Sequence, residues 1–109
     1  MRKGSGACTT PSHVVRGKSL YDSRCVACHS VDANRAGPLH RGVSGRQAGR
    51  VKGFDYSPAM KKSTVVWTRQ TLNVWLAEPE KLVPGQAMGF SVSQAADRAD
   101  LVAYLAGLK

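Results

Sequence analysis

Apolar residues near the C-terminus recur at the spacing of one helix face. The stripe consists of Leu101, Tyr104, Leu105 and Leu108. Because residues at i, i+3, i+4 and i+7 share one side of an α-helix, the pattern predicts a helix from about Gln94 to Leu108 with this side buried.

Two segments upstream also have a helical pattern. Residues 14 to 25 suit a helix whose Gly17 allows another backbone to approach closely. Its apolar side is formed by Val14, Val15, Leu20 and Tyr21. Another helix is predicted from about Thr68, a helix-capping residue, to Ala77, with Pro79 ending it. Its apolar side is formed by Leu72, Trp75 and Leu76.

The segments between these helices are rich in turn-forming residues and show no strand alternation. Residues 32 to 58 form one Gly/Pro-rich loop, and residues 82 to 92 form another. The pattern therefore predicts an all-α fold. Since long irregular loops are unusual inside a compact domain, a bound group is expected to fill its centre.

The first 13 residues are small, polar and without periodicity, so they are expected to form a flexible leader. Residues 14 to 109 are then the folded domain. The leader starts with basic residues, as a signal peptide does, but it lacks an apolar stretch. It contains Cys8, for which a free thiol or an intermolecular disulfide is a better interpretation than a ligand role.

Composition is that of an ordinary globular protein: of 109 residues, 42% are apolar and 21% are charged. This length fits one domain near the small end, where burial alone gives marginal stability. The longest apolar runs fall far short of the roughly 20 residues that a membrane-spanning helix requires. A soluble, monomeric protein is expected.

The charge of the chain is strongly positive, with sixteen Lys and Arg against seven Asp and Glu and a formal net charge of +9. Such a charge favours a negatively charged partner or surface. Specific nucleic-acid binding is not expected, because the basic residues are scattered and have no interleaved aromatic platform, zinc-finger spacing or recognition-helix pattern.

Residues 25 to 29 form the motif with the strongest chemical implication. Cys25 and Cys28 lie three positions apart, and His29 follows directly. Cys-x-x-Cys-His is the attachment pattern of c-type haem. Two thiols on one turn can reach the two vinyl groups of a porphyrin, and the adjacent imidazole is then held against the iron. We therefore expect one covalent haem c with His29 as an iron ligand.

Two other interpretations of this motif remain open at this point. A thioredoxin-like dithiol is usually found in a βαβ context, which the sequence lacks. A zinc site needs two further ligands. Cys8, His13 and His40 are available, but no second pair has zinc-finger spacing. Both interpretations fit the sequence less well than haem attachment.

A second axial ligand is needed if the haem serves as a six-coordinate electron carrier, and a methionine thioether is one that raises the reduction potential. The methionines are Met1, Met60 and Met88. Met60 lies beside two lysines, whereas Met88 lies in a Pro/Gly loop that can present sulfur to the iron opposite His29. We expect His29 and Met88 to ligate the iron; the alternative is that Met88 fills a gap in the core.

From Gly17 to Leu105 the sequence resembles class I cytochrome c of the mitochondrial and bacterial cytochrome c2 kind. The matching segments, in the family's order, are Gly17–Tyr21, Cys25–His29, Gly37-Pro38, Gly45-Arg46, Gly53–Ser57, Trp67, Thr71-Leu72, Trp75-Leu76, Pro84-Gly85, Met88, Phe90 and Asp100–Leu105. The resemblance implies crossing N- and C-terminal helices and loops wrapped around one covalently bound haem. Gly17 would permit the close crossing at Leu101 and Tyr104. The family transfers electrons and is not enzymatic, so no catalytic residue is expected.

The resemblance also implies neighbours for the two iron ligands. The carbonyl of Pro38 would accept a hydrogen bond from His29 and fix the orientation of its ring. Phe90 would cover the haem edge near Met88. Trp75 stands where a tyrosine is common in the family, which removes a hydroxyl from the neighbourhood of the methionine sulfur.

The haem propionates would be met by Arg46, Tyr56 and Trp67, because buried negative charge needs donors and a cation.

Two departures from the family concern other positions. His40 falls where many relatives have an apolar residue, and it is expected to be a structural or surface histidine and not a ligand. Residues 86–87, Gln and Ala, replace the usual Thr and Lys before the methionine.

Partners and a compartment are further implications of the resemblance. Weak, salt-sensitive encounters are expected with acidic docking surfaces of a quinol-cytochrome c reductase, a terminal oxidase, a periplasmic dehydrogenase or a photosynthetic reaction centre. The docking cations would be Lys18, Arg24, Lys61, Lys62 and Lys81. Haem attachment outside the cytoplasm implies the bacterial periplasm, ahead of the mitochondrial intermembrane space. Peroxidase-like or gas-binding chemistry needs an open iron position, which Met88 argues against.

Overall fold

A computed structural model describes residues 11 to 109, which contain five helices; the long loops lie between the first and second helices and between the fourth and fifth. They are α1 (Pro11–Arg24), α2 (Pro58–Lys62), α3 (Arg69–Ala77), α4 (Pro79–Leu82) and α5 (Ala95–Ala106). Within this range the β-type pairing is limited to an isolated bridge between Gln47 and Val66, so the all-α prediction is confirmed. None of the helices described is long and apolar enough to span a membrane. The first ten residues, including Cys8, lie outside the described range.

The packing of α1 on α5 is central to the fold, and Gly17 makes this crossing possible. A methyl group at Gly17 would overlap the carbonyl of Asp100 and press on Tyr104. The close crossing predicted at Gly17 is therefore confirmed. The buried cluster around the crossing comprises Leu20, Tyr21, Val43, Ala48, Trp67, Leu72, Leu76, Val92, Leu101, Val102 and Leu105.

Charged side chains join the same two helices. Asp97 and Asp100 on α5 are buried. Arg16 donates to Asp97 at 2.8 Å and to Asp100 at 2.5 Å. Arg24 donates to Asp97 at 3.0 Å, and His13 pairs with Asp100. The hydrogen bonds that Asp97 accepts, first from Arg16 and then from Arg24, hold the pKa of Asp97 below its usual range.

The N-terminus of α3 is capped by Thr68, as the sequence predicts. The hydroxyl of Thr68 accepts a hydrogen bond from the N–H of Thr71 at 3.1 Å, and the hydroxyl of Thr71 accepts one from the N–H of Thr68 at 2.8 Å. This reciprocal pair satisfies two N–H groups that a helix start leaves without a partner. Leu72 and Leu76 are buried on the predicted side.

The ends of α1 and α5 differ from the prediction. α1 begins at Pro11, so the last residues assigned to the leader form its first turn. Val15 is 69% exposed, and its assignment to the buried side was wrong. α5 ends at Ala106 and is followed by Gly107 as its cap, upstream of the predicted end at Leu108.

Two short helices, α2 and α4, were not predicted. α2 follows Ser57, whose hydroxyl accepts a hydrogen bond from the N–H of Met60 at 3.3 Å. α4 begins at Pro79, which was predicted only to end α3. Each helix is too short for a repeating apolar pattern to appear in the sequence.

Candidate functional site

The Cys-x-x-Cys-His segment forms one tight turn at the end of α1. The N–H of Cys25 donates to the carbonyl of Tyr21 at 2.9 Å, and the N–H groups of Cys28 and His29 donate to the carbonyl of Cys25 at 3.1 and 2.8 Å. Both thiols are free; Cys25 is half-buried and Cys28 is exposed. Two thiols and one imidazole are therefore presented by a single short stretch of backbone.

The imidazole of His29 is held by the segment that follows the turn. Its Nδ1 lies 2.9 Å from the carbonyl of Pro38 and donates to it. A proton on Nδ1 leaves Nε2 with the lone pair that binds a metal. A methyl group at Gly37 would come within 2.5 Å of both ring nitrogens, so glycine is required there. Burial lowers the pKa of His29 and favours the neutral form that acts as a ligand.

A second histidine, His40, stacks on the ring of His29. The ring centroids are 4.2 Å apart and the planes are inclined by 24°. Nδ1 of His40 also shares a hydrogen bond of 2.8 Å with the hydroxyl of the buried Tyr21. Burial lowers the pKa of His40 to about 3, with smaller effects from the nearby His29 and Arg46. His40 is thus half-buried and held by Tyr21 and the ring of His29, which makes it a structural histidine and not a surface one.

Arg46 lies beside both Tyr56 and Trp67. The guanidinium of Arg46 donates to two backbone carbonyls of the preceding loop at 2.9 and 3.1 Å, and its own carbonyl accepts a hydrogen bond from the N–H of Trp67 at 2.9 Å. Burial lowers the pKa of Arg46, and the nearby Tyr56 partly offsets this. Of the three residues that the resemblance assigned to the propionates, Arg46 is therefore near Tyr56 and is bonded through its backbone to Trp67.

Trp75 and Phe90 differ in their surroundings. The rings of Trp67 and Trp75 meet edge to face, with centroids 5.3 Å apart, and Trp75 packs against the buried cluster. Phe90 is 43% exposed in the segment that leads to α5. Trp75 is therefore joined to the group around Arg46, whereas Phe90 lies at the surface.

Met88 is half-buried in the loop after α4, and two side chains fix this loop. The carboxylate of Glu80 accepts hydrogen bonds from the N–H of Gly85 at 2.7 Å and from the side-chain amide of Gln86 at 3.0 Å. The amide oxygen of Gln86 then accepts from the N–H of Met88 at 2.5 Å. No sequence pattern indicates the pairing of Glu80 with Gln86, because only the folded loop brings the two side chains together.

The donor groups fit a covalently attached haem better than the two alternatives. In the range 11–109, no three His, Cys, Asp or Glu side chains converge into a cluster that could hold a metal ion, which argues against zinc. Burial raises the pKa of Cys25 to about 11, whereas a redox-active dithiol has a lowered pKa. Two free thiols beside an imidazole with Nε2 available are the groups that haem attachment requires.

Comparisons with known proteins agree with this geometry. The family model described as cytochrome c matches residues 14–109. Cytochrome c 2.1 of Caenorhabditis elegans is 47% identical over 93 residues, which is 83% of this chain and 84% of the relative. Cytochrome c-type cyt cy of Rhodobacter capsulatus is 43% identical over 91 residues, 82% of this chain and 46% of the relative. The structure of cytochrome cH from Methylobacterium extorquens superposes with a TM-score of 0.80 at 38% identity, covering 84% of this chain and 95% of that one.

Proposed function

The chain belongs to the cytochrome c family, and from this premise we propose which of its residues perform the electron transfer. It is an electron-transfer protein, not an enzyme, and it carries one c-type haem with iron. Cys25 and Cys28 form the two thioether bonds, and Nε2 of His29 and the sulfur of Met88 ligate the iron. The observation that carries the proposal is the hydrogen bond from Nδ1 of His29 to Pro38, which leaves Nε2 for the metal.

The haem iron supplies reversible one-electron exchange, and the chain supplies a rigid and partly dry setting for it. Around His29, the backbone of Gly37 and the carbonyl of Pro38 fix the ring. Glu80 and Gln86 hold the loop of Met88, which would supply the second ligand of the iron. Little rearrangement is then needed when the charge of the centre changes.

Arg46, Tyr56 and Trp67 form the proposed propionate side of the site. Trp75 is proposed to lie near the methionine sulfur, and Phe90 to cover the haem edge near Met88. The hydroxyl of Tyr56 accepts a hydrogen bond from the N–H of Val51 at 3.0 Å, so its own proton stays available for a carboxylate. The cation of Arg46 offsets negative charge in a region where burial disfavours it.

The partners that we propose are redox proteins with acidic docking surfaces, of the classes named in the sequence analysis. The net charge of +9 favours such encounters. Exposed cations flank the haem-binding turn: Arg24 precedes it, and Arg35 donates to the carbonyl of Val26 at 2.7 Å. Electron transfer to an acidic partner is expected to slow as salt is added, whereas exchange with an uncharged dye should stay constant.

The bacterial periplasm is the compartment that we propose. Haem attachment needs reduced thiols and dedicated machinery outside the cytoplasm. Bacterial proteins are among the relatives, which fits the periplasm. Eukaryotic cytochromes c are also among them, at up to 48% identity, and these fit the mitochondrial intermembrane space. Fractionation of the producing organism, with the protein followed by its haem absorption, tests this assignment.

The experiment that tests the ligands compares two methionine variants of protein made with the haem-attachment machinery. Met88→Ala should lose the spectroscopic signature of sulfur on ferric iron and bind cyanide or carbon monoxide rapidly. Met60→Ala is the matched control, because Met60 is also a half-buried methionine but packs against the core from α2. This control should keep the wild-type spectrum.

Two results would contradict the proposal. If Met88→Ala keeps wild-type iron ligation, Met88 is not the ligand. If the wild-type protein itself binds carbon monoxide at once, the iron position is open and a gas-binding or peroxidase-like function replaces the carrier. Denaturing electrophoresis of Cys25→Ser and Cys28→Ser, stained for haem, tests the covalent bonds separately.

A further inference from the structure

One short segment makes three separate contacts with the proposed iron ligand. Gly37 lies against the ring of His29 at the carbon between its nitrogens, and the carbonyl of Pro38 accepts its Nδ1 proton. His40 adds a stacked ring, with centroids 4.2 Å apart. The contacts with Gly37 and Pro38 fix the position of the His29 ring. The ring of His40 instead packs on the flat face of the His29 ring.

His40 is in turn held by the helical core and not only by its own loop. Its Nδ1 shares the 2.8 Å hydrogen bond with the hydroxyl of Tyr21, and the two rings meet at a steep angle of 69°. Tyr21 is 1% exposed on α1 and packs against Tyr104 of α5, with ring centroids 5.2 Å apart. The N–H of His40 donates to the carbonyl of Ser30 at 3.1 Å. The position of the His40 ring is therefore set by the α1–α5 crossing.

We propose that His40, held by Tyr21, is a positioning residue that sets the plane of the His29 imidazole at the iron. The inference rests on the proposed function, in which His29 is an axial ligand. A hydrogen bond at Nδ1 tolerates some tilting of the ring. A second ring stacked 4.2 Å away restricts tilting further, because a tilt would bring ring atoms into overlap.

With haem bound, the plane of the His29 imidazole would have a measurable consequence in the ferric protein. It would influence how unpaired spin is distributed over the porphyrin. The haem methyl groups report this distribution in proton NMR. A partner that orients the ligand therefore acts on a spectroscopic signature and on the reduction equilibrium, and not only on stability.

The experiment measures the haem methyl shifts of the ferric protein and its redox equilibrium with a reference dye. His40→Ala should rearrange the haem methyl shifts and change the equilibrium constant. Tyr21→Phe removes one hydroxyl and should move the shifts in the same direction by less. His40→Phe restores a stacked ring and should return the shifts toward wild type. His13→Ala is the control, since His13 pairs with Asp100 at the helix crossing, and it should lower stability without moving the shifts.

Two outcomes would overturn the inference alone. One is a wild-type pattern of shifts in folded His40→Ala; the other is a pattern in His13→Ala that changes as much as in His40→Ala. If His40→Ala does not take up haem, Tyr21→Phe decides, and a wild-type pattern in that variant overturns the inference. If the wild-type protein lacks the spectrum of histidine and methionine ligation, the proposed function fails and the inference fails with it.

Discussion

Gly37 shows at the residue scale how tightly the backbone encloses the proposed iron ligand. We predict that Gly37→Ala lowers the free energy of unfolding by about 1 to 3 kcal/mol, because the added methyl overlaps the ring of His29 and forces it to move. Thermal or urea unfolding of the haem-loaded protein measures this loss. The displaced ring should also weaken the hydrogen bond to Pro38, so the ferric spectrum should change as well.

The control for this change is Gly107→Ala. A methyl at Gly107, the cap of α5, meets its nearest neighbours only at ordinary contact distance, from 3.5 Å. Its effect on stability should stay within about 0.5 kcal/mol. Equal losses in the two variants would contradict the role of Gly37 and indicate a general cost of replacing glycine.

The residues of the candidate site differ in how far the sequence reveals them. Cys25, Cys28 and His29 are adjacent along the chain, so their chemistry can be recognised without a structure. The contact between Tyr21 and His40 joins α1 to a loop 19 positions away. It depends on how that loop folds back over the turn, and no local pattern encodes this.

At the scale of whole helices, Gly17 has the same role that Gly37 has beside His29: it lets two parts of the chain come close together. We predict that Gly17→Ala lowers the free energy of unfolding by about 1 to 3 kcal/mol or more, since the methyl would meet the backbone of Asp100 and push α1 away from α5. Alanine is a better helix former than glycine by about 1 kcal/mol, so any loss arises despite a gain in helix propensity. Ser19→Ala, at an exposed position of α1, should change stability by less than about 0.5 kcal/mol. A stabilised Gly17→Ala would show that the helices are not in close contact.

The start of α3 gives a second prediction at this scale. Thr68→Ala should cost about 1 kcal/mol, because it removes the hydroxyl that caps the N–H of Thr71. Thr68→Ser keeps a hydroxyl and should retain most of the stability. Urea unfolding of the three proteins measures the difference. A loss of the same size in both variants would mean that the methyl group, and not the cap, matters.

Prediction from sequence succeeded for the elements that have an apolar repeat. α3 combines such a repeat with the capping residue Thr68, whereas α5 has the repeat without a side-chain cap; the starts of both were found. α2 and α4 have no repeat, because they contain only five and four residues. Their caps, such as Ser57 before Pro58, are also common in ordinary turns. The packing of the loops against the core determines that these turns become helical.

Charge acts on the molecule as a whole through the buried carboxylates of α5. The chain already carries +9 at neutral pH, so each carboxylate that is protonated adds to the repulsion of the folded state. Asp97 is one of these carboxylates; it is buried and accepts hydrogen bonds from both Arg16 and Arg24. The two arginines of α1 thus supply hydrogen bonds that water would supply to Asp97 in the unfolded chain.

The stability of the fold should therefore depend on the ionisation of Asp97 in acid. Its folded pKa is below the ordinary value of about 3.9, so its contribution is fully present above that pH and is lost as the pH falls through the folded pKa. Asp97→Asn lacks this contribution at every pH. Urea unfolding of both haem-loaded proteins should give a difference that is largest at neutral pH and shrinks below about pH 4. Asp55→Asn is the control, because the side chain of Asp55 is 99% exposed, and its difference from wild type should be small throughout. A constant difference between wild type and Asp97→Asn down to pH 2 would mean that the ionised pair does not stabilise the helix crossing.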